Sequence, residues 1–357
     1  MSHKAAVLTQ LNSPLEIWDI EHASTSFGKT CATGQVRVEM LMSGICGSQL
    51  QEIAGNKGNA GFMPHLLGHE GCGIVREVGA GVNVQLIGKK VVCHWRKGEG
   101  SDAYLTARYD TKDGRTLGGG HVTTLCESAV VSRNRVTVVD DDVPMELCAL
   151  LGCGLSTALG TVEQEAKLKF GESILIIGCG GVGMNLIQAA KLSCAYPIFV
   201  SDINTEKATT CFNLGATSFT NPMTDCIDRS WDAHSLSGNA KFDVIVDTTG
   251  NIEAIENGIQ RLASGGRFIM VGQPKPCQSF RVLSALDMFY GEGKTIIATQ
   301  GGGFRPHLDI PRYVNLWRAG LLDLTGTISH KLPLEQINDG IDLVRNGLAG
   351  RVMISLK

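Results

Sequence analysis

A glycine-rich run with the spacing of a nucleotide-binding turn lies near the middle of the chain. It follows an apolar run, Ser173–Ile177, and precedes an amphipathic stretch, and a second apolar run ends at Asp202. A strand, a glycine turn, a helix, a second strand and an acid form the context in which such a turn binds a dinucleotide. The alternative is a purely structural turn. The predicted cofactor-binding glycines, at a helix N-terminus that faces the pyrophosphate, are Gly178, Gly180, Gly181 and Gly183.

Asp202 indicates which dinucleotide would bind. A carboxylate at this position accepts hydrogen bonds from the ribose 2′-OH and repels a 2′-phosphate. The next two residues are Ile203 and Asn204, so no arginine follows Asp202 that could bind a 2′-phosphate. The nearby cation is Lys207. The sequence therefore predicts NAD rather than NADP.

Three further residues have the chemistry of a zinc site. Cys46 stands at the start of a predicted helix, His69 near the start of a predicted strand, and Cys153 just before the nucleotide-binding segment. Two thiolates and one imidazole leave one of zinc's four positions open, as in catalytic sites. Each residue alone has an ordinary structural reading, because free cysteine is usually a small buried hydrophobe.

The order of predicted elements favours two domains, which a chain of 357 residues also suggests. Residues 1–154 contain short β-branched runs with glycine turns, typical of a β-rich domain. From 155 to 300, strands alternate with helices such as Met184–Leu192 and Thr205–Leu214, which predicts a doubly wound parallel sheet. The predicted strands are Ile174–Ile177, Pro197–Ser201, Val244–Asp247 and Phe268–Gly272. Residues 301–357 return to mixed character. We predict a Rossmann-type domain, 155–300, inserted into a catalytic domain formed by 1–154 and 301–357.

Composition excludes several classes of protein. The net charge is −3 and no long basic run exists, which argues against nucleic-acid binding. No stretch reaches the roughly 18 apolar residues of a membrane span. The N-terminus shows no signal-peptide pattern, so a cytoplasmic protein is expected. The twelve cysteines are irregularly spaced and indicate no disulfide framework.

Several of these motifs, in order and with similar spacing, resemble those of the zinc-dependent medium-chain alcohol dehydrogenases. The matching segments are Gly44–Ser48, Leu67–Val75, Leu151–Thr157, Gly178–Gly183, Asp202–Asn204 and Ile328–Arg351. The resemblance covers nearly the whole chain. It implies a GroES-like catalytic domain beside the Rossmann domain, reversible hydride transfer between an alcohol or aldehyde and NAD(H), and a homodimer or homotetramer.

The resemblance also implies roles for individual residues. Zinc would be bound by Cys46, His69 and Cys153, and Ser48 would take the alcohol proton. Glu70 would be the family's acid beside the metal, or else a buried structural carboxylate. The implied cofactor contacts are Thr157, Val182 and Val271 around the nicotinamide, and Arg351 at the pyrophosphate, for which a surface salt bridge is the alternative.

Three departures from the family pattern affect these expectations. Gln49 stands where the family usually has an aspartate that supports the zinc ligands, and Gln51 where many members have a proton-relaying histidine. The segment between Cys93 and Cys126 lacks the four cysteines of a structural zinc site. We therefore expect one zinc per chain, and we expect the segment between Cys93 and Cys126 to keep its shape by packing. No residue is assigned to carry the proton to solvent. A zinc-independent reductase of the same fold and a non-catalytic nucleotide-binding protein are the alternative functions.

Two cationic clusters suggest the substrate's charge. Arginine's planar fork suits carboxylates and phosphates, so the clusters could bind a small, polar, anionic alcohol. A solvated loop face or a subunit contact is the alternative. The clusters comprise Trp95, Arg96 and Lys97 in one loop and Arg305 and His307 in another.

Overall fold

The computed structural model describes residues 2–24, 30–58, 63–225 and 241–357. The chain forms two compact units. We call them the β-rich unit, which contains Met1–Gly154, Arg305–Arg318 and Ile328–Lys357, and the α/β unit, which contains Leu155–Phe304 and Ala319–Thr327.

These limits differ from the predicted domains at two places. Residues 301–304 lie in the α/β unit because Gly302 packs against the backbone of Thr157 and Thr161, where no Cβ would fit. Ala319–Thr327 lies there as well, because the Gln188 amide bonds both the N–H and the carbonyl of Asp323.

The β-rich unit contains a closed barrel with strand order β1-β2-β7-β8-β4 and a sheet with order β10-β6-β5-β3-β18-β17, in which β9 also pairs with β3. Its strands are β1 (His3–Leu8), β2 (Glu16–His22), β3 (Gln35–Ile45), β4 (His65–Leu66), β5 (Glu70–Val78), β6 (Lys90–His94), β7 (Ala107–Thr111), β8 (Thr116–Gly120), β9 (Ser128–Ser132), β10 (Val136–Val138), β17 (Ile328–Pro333) and β18 (Arg351–Ser355). Its helices are α1 (Gly47–Ile53), α2 (Met145–Leu151), α7 (Pro306–Arg318) and α8 (Ile337–Arg345).

The core of this unit lies between the barrel and the sheet. Residues such as Val38 in β3, Tyr109 in β7 and Ile354 in β18 are fully buried in one apolar cluster. The central strand β3 pairs antiparallel with β5 and β18, so Ile45 lies opposite Val352. This pairing brings the residues at the end of β3 beside those at the start of β18.

The α/β unit is built on a parallel sheet with order β13-β12-β11-β14-β15-β16. Strands of such a sheet are covered on both faces, which explains the continuous apolar runs of β11 and β12. The order reverses between β11 and β14, the place where open α/β sheets bind ligands. The strands are β11 (Ile174–Ile177), β12 (Ile198–Ser201), β13 (Ser218–Thr220), β14 (Phe242–Asp247), β15 (Leu262–Met270) and β16 (Thr295–Ala298).

The helices of this part are α3 (Gly154–Gly160), which enters the unit and continues as a π-helical turn at Thr161–Glu165, α4 (Gly181–Leu192), α5 (Ala208–Leu214) and α6 (Ile252–Gln260). The predicted fold class, a β-rich domain plus a doubly wound nucleotide-binding fold, is confirmed.

Among the described residues, no single helix is long and apolar enough to cross a membrane. The bent pair Met145–Leu151 and Gly154–Glu165 passes that test together, by length and composition only. The described cysteines are free thiols, and most are buried, as expected of small apolar residues. Cys226 lies outside the described residues.

Candidate metal centre and nucleotide site

Cys46 lies where β3 ends and α1 begins. Its N–H donates to the side-chain oxygen Oε1 of Gln49 at 2.7 Å. This bond satisfies one of the groups that a helix start leaves unpaired. Because β3 is held on both sides by neighbouring strands, the sheet sets the position of the Cys46 thiol.

His69 occupies the turn that leads into β5. The preceding Gly68 has a φ of 99°, and a Cβ there would lie 2.5 Å from Thr124 Oγ1. Glycine is therefore required both for the backbone conformation and for space. The following Glu70 is held by Ser43 Oγ, which donates to its carbonyl at 3.0 Å.

Cys153 lies between α2 and α3, next to the same strands. A Cβ at Gly152 would collide with the carbonyl of Cys93 and lie 2.8 Å from Glu70 Cα. The glycine therefore allows the end of α2 to approach β5 and β6 directly. As a result, Cys153 reaches the same place as the two earlier residues, although it lies far from them in sequence.

The three predicted metal ligands converge. The two thiol sulfurs, of Cys46 and Cys153, are 4.0 Å apart, and with a ring nitrogen of His69 all three ligand atoms lie within 4.8 Å of one another. Zn–S bonds of about 2.3 Å in a tetrahedron place two sulfurs roughly 3.8 Å apart. The donor set and its spacing thus fit zinc.

The electrostatics of this triad favour a thiolate. A hydrogen bond from Cys153 holds the pKa of the Cys46 thiol well below its usual range, and His69 and Arg351 act in the same direction. Burial lowers the pKa of His69, but the hydrogen bond and charge of Cys46, together with the charges of Glu70 and Glu52, raise it overall. Zinc binds cysteine as the thiolate, so a lowered pKa prepares Cys46 for a metal.

Glu70 and Arg351 form an ion pair under the triad. Arg351 Nη1 lies 3.2 Å from Glu70 Oε1 and donates to the Ile45 carbonyl at 3.0 Å, and both side chains are buried. Glu70 Oε2 accepts from the Gly154 N–H at 3.1 Å. Burial raises the pKa of Glu70 despite the opposing charge of Arg351. The alternative of a surface salt bridge for Arg351 is thus wrong, and its pyrophosphate contact stays a prediction.

Side chains from α1 line the triad. Ser48 Oγ lies 3.4 Å and Gln49 Nε2 3.1 Å from His69 Nδ1. Sequence reasoning overlooked Glu52, whose pKa is raised by burial and by Cys46, while His69 and Lys57 lower it. The signal was its position four residues after Ser48, which places both on one helix face.

The glycine turn between β11 and α4 has the features of a pyrophosphate site. A Cβ at Gly180 would meet nothing within 4 Å, and no side chain caps the N-terminus of α4. A phosphate can therefore approach the free N–H groups of the helix. Gly178 has a φ of 87°, and a Cβ at Gly183 would collide with the Gly178 carbonyl, so these glycines serve the turn and the helix–strand contact.

Asp202 lies directly after β12, beside this turn. Its Oδ2 accepts from the Cys179 N–H at 2.7 Å and lies 3.6 Å from Lys207 Nζ, while Oδ1 accepts from the Asn204 N–H at 2.8 Å. The carboxylate is thus oriented by two backbone groups. Of the predicted nicotinamide contacts, Thr157 is buried in α3, and Val182 and Val271 are half-buried.

The sequence matches two family models, the alcohol dehydrogenase GroES-like domain over residues 32–141 and the zinc-binding dehydrogenase domain over residues 181–317. Alcohol dehydrogenase 6 of Peromyscus maniculatus is 30% identical over 98% of this chain and 97% of its own length. Alcohol dehydrogenase 2 of Oryza sativa subsp. japonica is 28% identical over 99% and 97%. The chain belongs to the zinc-dependent medium-chain alcohol dehydrogenase family.

Solved structures agree on the fold of this family member. An alcohol dehydrogenase zinc-binding domain protein from Burkholderia ambifaria superposes with a TM-score of 0.88 at 24% identity, covering 100% of this chain and 99% of that one. Benzyl alcohol dehydrogenase from Acinetobacter calcoaceticus superposes with a TM-score of 0.87 at 22% identity, covering 100% of both chains. The predicted class, an oxidoreductase of this dehydrogenase family, is confirmed.

In this family member, an ion-pair network organises the loop that we call the lobe, residues 95–105. Asp102 accepts from Arg135 Nε at 2.7 Å and Nη2 at 2.9 Å, and Lys97 Nζ lies 3.0 Å away. The hydrogen bond from Arg135 holds the pKa of Asp102 well below its usual range. Arg135 also donates to the Trp95 carbonyl. The lobe is therefore held by charge pairing in addition to the predicted packing.

Backbone bonds complete the attachment of the lobe. The Gly98 N–H donates to the Asn134 carbonyl at 2.7 Å, and Asn134 Nδ2 donates to the Gly100 carbonyl at 3.3 Å. The Ala103 N–H donates to Ser132 Oγ at 2.8 Å. Cys93 and Cys126 are fully buried core residues.

The two predicted substrate clusters have different surroundings. The Arg96 guanidinium lies 5.6 Å from the centre of the Trp95 ring, and Lys97 pairs with Asp102. Arg305 and His307, at the start of α7, are exposed. Lys97 is thus engaged by the Asp102 carboxylate.

Proposed function

We propose that the chain catalyses reversible hydride transfer between a small alcohol or aldehyde and NAD(H), using one zinc ion. The observation that carries this proposal is the convergence of Cys46, His69 and Cys153 on one point, with the two sulfurs 4.0 Å apart. Zinc bound there supplies Lewis acidity toward an alcohol or carbonyl oxygen. Two thiolates and an imidazole hold the ion and leave one position for substrate.

The residues around the triad then have defined tasks. Ser48 Oγ, beside His69, would accept the alcohol proton and pass its own hydroxyl proton to the cofactor ribose or to solvent, before hydride leaves the carbinol carbon for C4 of the nicotinamide. Arg351 compensates the charge of Glu70, so this carboxylate can lie beside the zinc ligands without adding an unpaired negative charge. Metal analysis together with NADH absorbance over a panel of alcohols and aldehydes tests this function. Turnover by zinc-free protein would favour the zinc-independent reductase. Protein that contains zinc but turns over none of the compounds would favour the non-catalytic alternative.

We assign NAD binding to the α4 turn and to Asp202. NAD supplies the hydride acceptor, the turn binds the pyrophosphate, and the oriented carboxylate binds the ribose hydroxyls. Thr157, Val182 and Val271 shape the nicotinamide pocket in this proposal. Arg351 is proposed to bind the pyrophosphate while it also pairs with Glu70, so Arg351→Lys should weaken NAD binding.

The cofactor preference is tested by kinetics with both dinucleotides. NAD should be preferred by at least about tenfold, or about 1.4 kcal/mol, because a 2′-phosphate would meet Asp202. Lys207 opposes this preference, since its ammonium lies 3.6 Å from the carboxylate. Asp202→Ala should narrow the ratio by weakening NAD binding, while Glu206→Ala, which removes an exposed acid nearby, should not. Equal use of both dinucleotides by the unmodified protein would contradict the assignment.

We propose that the substrate is polar and anionic, on the basis of Arg96, Arg305 and His307. Arg96→Ala should then raise the KM of an anionic hydroxy compound at least tenfold and leave that of a neutral alcohol unchanged. Lys97→Ala is the matched control, because it removes the neighbouring cation of the same loop. Efficient oxidation of neutral alcohols with indifference to Arg96 would refute this substrate class.

We further propose a homo-oligomer formed through the α/β unit. In the described part of the chain, β16 pairs on one side only, with β15. Exposed apolar side chains, including Leu286 and Phe289, precede this strand. An open edge with nearby apolar surface is a template for a second copy. Light scattering should show a dimer or a tetramer, and a monomer at micromolar concentration would refute the assembly.

A further inference from the structure

The amide of Gln49 is buried and bonded at both ends. It is 1% exposed, the lowest exposure of the polar side chains on α1. Its Oε1 lies 2.7 Å from the Cys46 backbone nitrogen and its Nε2 3.1 Å from His69 Nδ1. Gln49 therefore contacts two of the three candidate zinc ligands at once.

The chemistry of these partners assigns the amide's orientation. A backbone N–H can only donate, so the atom facing Cys46 must be the amide oxygen. The NH₂ group then faces His69 Nδ1, and an NH₂ group can only donate as well. Nδ1 therefore accepts a hydrogen bond, and a neutral His69 ring carries its proton on Nε2.

That arrangement opposes metal binding through the other ring nitrogen. With Nδ1 facing the amide, Nε2 is the nitrogen left for a metal, and a metal requires its lone pair. A ligating histidine normally donates its other N–H to a carboxylate, a carbonyl or water. In this chain a buried donor, closer to Nδ1 at 3.1 Å than Ser48 Oγ is at 3.4 Å, occupies the place where His69 would need an acceptor.

We propose that Gln49 is a positioning residue that weakens zinc binding by the Cys46, His69 and Cys153 triad, because it offers one acceptor to two donors. The donors are the Cys46 N–H and the Nδ1–H of a zinc-ready His69. This inference rests on the proposed zinc function. It makes zinc in this protein more exchangeable than the same three ligands would bind with a carboxylate at position 49.

Gln49→Glu provides a sharp test, because glutamate has the same length and two acceptor oxygens. One oxygen can keep the bond to the Cys46 N–H while the other accepts from His69 Nδ1–H. Full-length protein is stripped of metal and titrated with zinc against a chromophoric chelator. We expect the zinc dissociation constant to fall at least tenfold, the scale on which such outer partners act.

Gln51→Glu is the matched control. It is the same substitution on the same helix, but the Gln51 side chain bonds Asn56 instead of a candidate zinc ligand. Gln51 Oε1 accepts from Asn56 Nδ2 at 2.7 Å. If both variants tighten zinc equally, the cause is charge alone and the proposal is overturned. It is equally overturned if Gln49→Glu, folded by its melting curve, leaves zinc affinity unchanged or weakens it.

The proton position in the unmodified protein is an independent measurement. Long-range ¹H–¹⁵N correlation spectra of the metal-free protein should show the His69 proton on Nε2. A proton on Nδ1 would overturn the proposal whatever the variants do. If zinc binds neither the unmodified chain nor Gln49→Glu, the proposed metal function fails too, whereas binding without tightening refutes the role of Gln49 alone.

Discussion

The zinc triad and the lobe both lie in the β-rich unit, and in each of them polar side chains from separate segments come together. The two differ in how the hydrogen-bonding and charged groups of these side chains are paired. In the lobe, the Asp102 acceptor oxygens face cationic donors of Arg135 and Lys97. In the triad, the possible ligand atoms of two cysteines and one histidine lie within 4.8 Å of one another. A set of acceptors that meet one another is arranged for a cation, while a set already matched to donors stabilises structure.

The surroundings differ in the same sense. The triad lies above a buried ion pair, Glu70 with Arg351, and is approached by Ser48 and Gln49. The lobe is fastened by backbone bonds to residues 132–134. Changes at the triad should therefore affect metal and activity, and changes at the lobe should affect stability.

The largest expected effect is that of Cys46→Ser. It removes a thiolate ligand, and we expect zinc loss and a fall in turnover of at least about 1000-fold, equivalent to several kcal/mol of lost electrophilic assistance. Metal content and kcat/KM are the measurements. Cys93→Ser, the same substitution at a buried core cysteine, should retain both. Full turnover of zinc-free Cys46→Ser would refute the function of the triad.

The number of zinc ions bound per chain tests the difference between the triad and the lobe directly. Elemental analysis of purified protein should return one zinc per chain, because the triad supplies a ligand set and the lobe uses its carboxylate for ion pairing. Close to two tightly bound zinc ions per chain would contradict the comparison.

Arg135→Met should destabilise the protein without removing zinc. Removing the bidentate partner of a largely buried pair leaves Asp102 with only the exposed Lys97 ammonium opposite it, at a cost of about 3 kcal/mol. Urea unfolding measures this loss, and Lys97→Met, at a side chain that is 64% exposed, should cost less than about 1 kcal/mol. Similar costs for the two variants would show that the bidentate bond to Arg135 is not what secures the lobe.

The last expected effect is a pH dependence at the base of the lobe. His94 bonds the Arg96 carbonyl at 2.7 Å and Thr137 Oγ1 at 3.0 Å, and burial lowers its pKa to about 3. An unfolded histidine has a pKa near 6.5. As the pH falls from about 6.5 to about 3, the unfolded chain binds a proton that the folded chain does not.

The free energy of unfolding should therefore drop by about 1.4 kcal/mol per pH unit on account of His94, and this contribution is absent above about pH 6.5. His94→Gln should show a shallower slope in chemical unfolding measured across that range. Parallel curves for the two proteins would refute a neutral buried His94.

Much of the fold followed from local patterns. Ile174–Ile177 was predicted as a strand and is one, because a short apolar run before a glycine turn has few alternatives. The helix predicted from Met184 begins earlier, at Gly181, since the turn glycines themselves enter the first turn. The predicted strand Phe268–Gly272 is observed as Leu262–Met270, because pairing with β14 extends it toward the N-terminus.

Local sequence patterns were enough to predict the elements, the glycine turn and the residues able to bind zinc, because periodicity, turn chemistry and ligand type are local properties. The contacts that these residues make could be read only from the folded chain. Arg351 meets Glu70 because β18 pairs with β3 and β3 with β5. Asp102 meets Arg135, and Gln49 meets His69, for the same kind of reason. Contacts between residues distant in sequence depend on strand register and close packing, which no local pattern encodes.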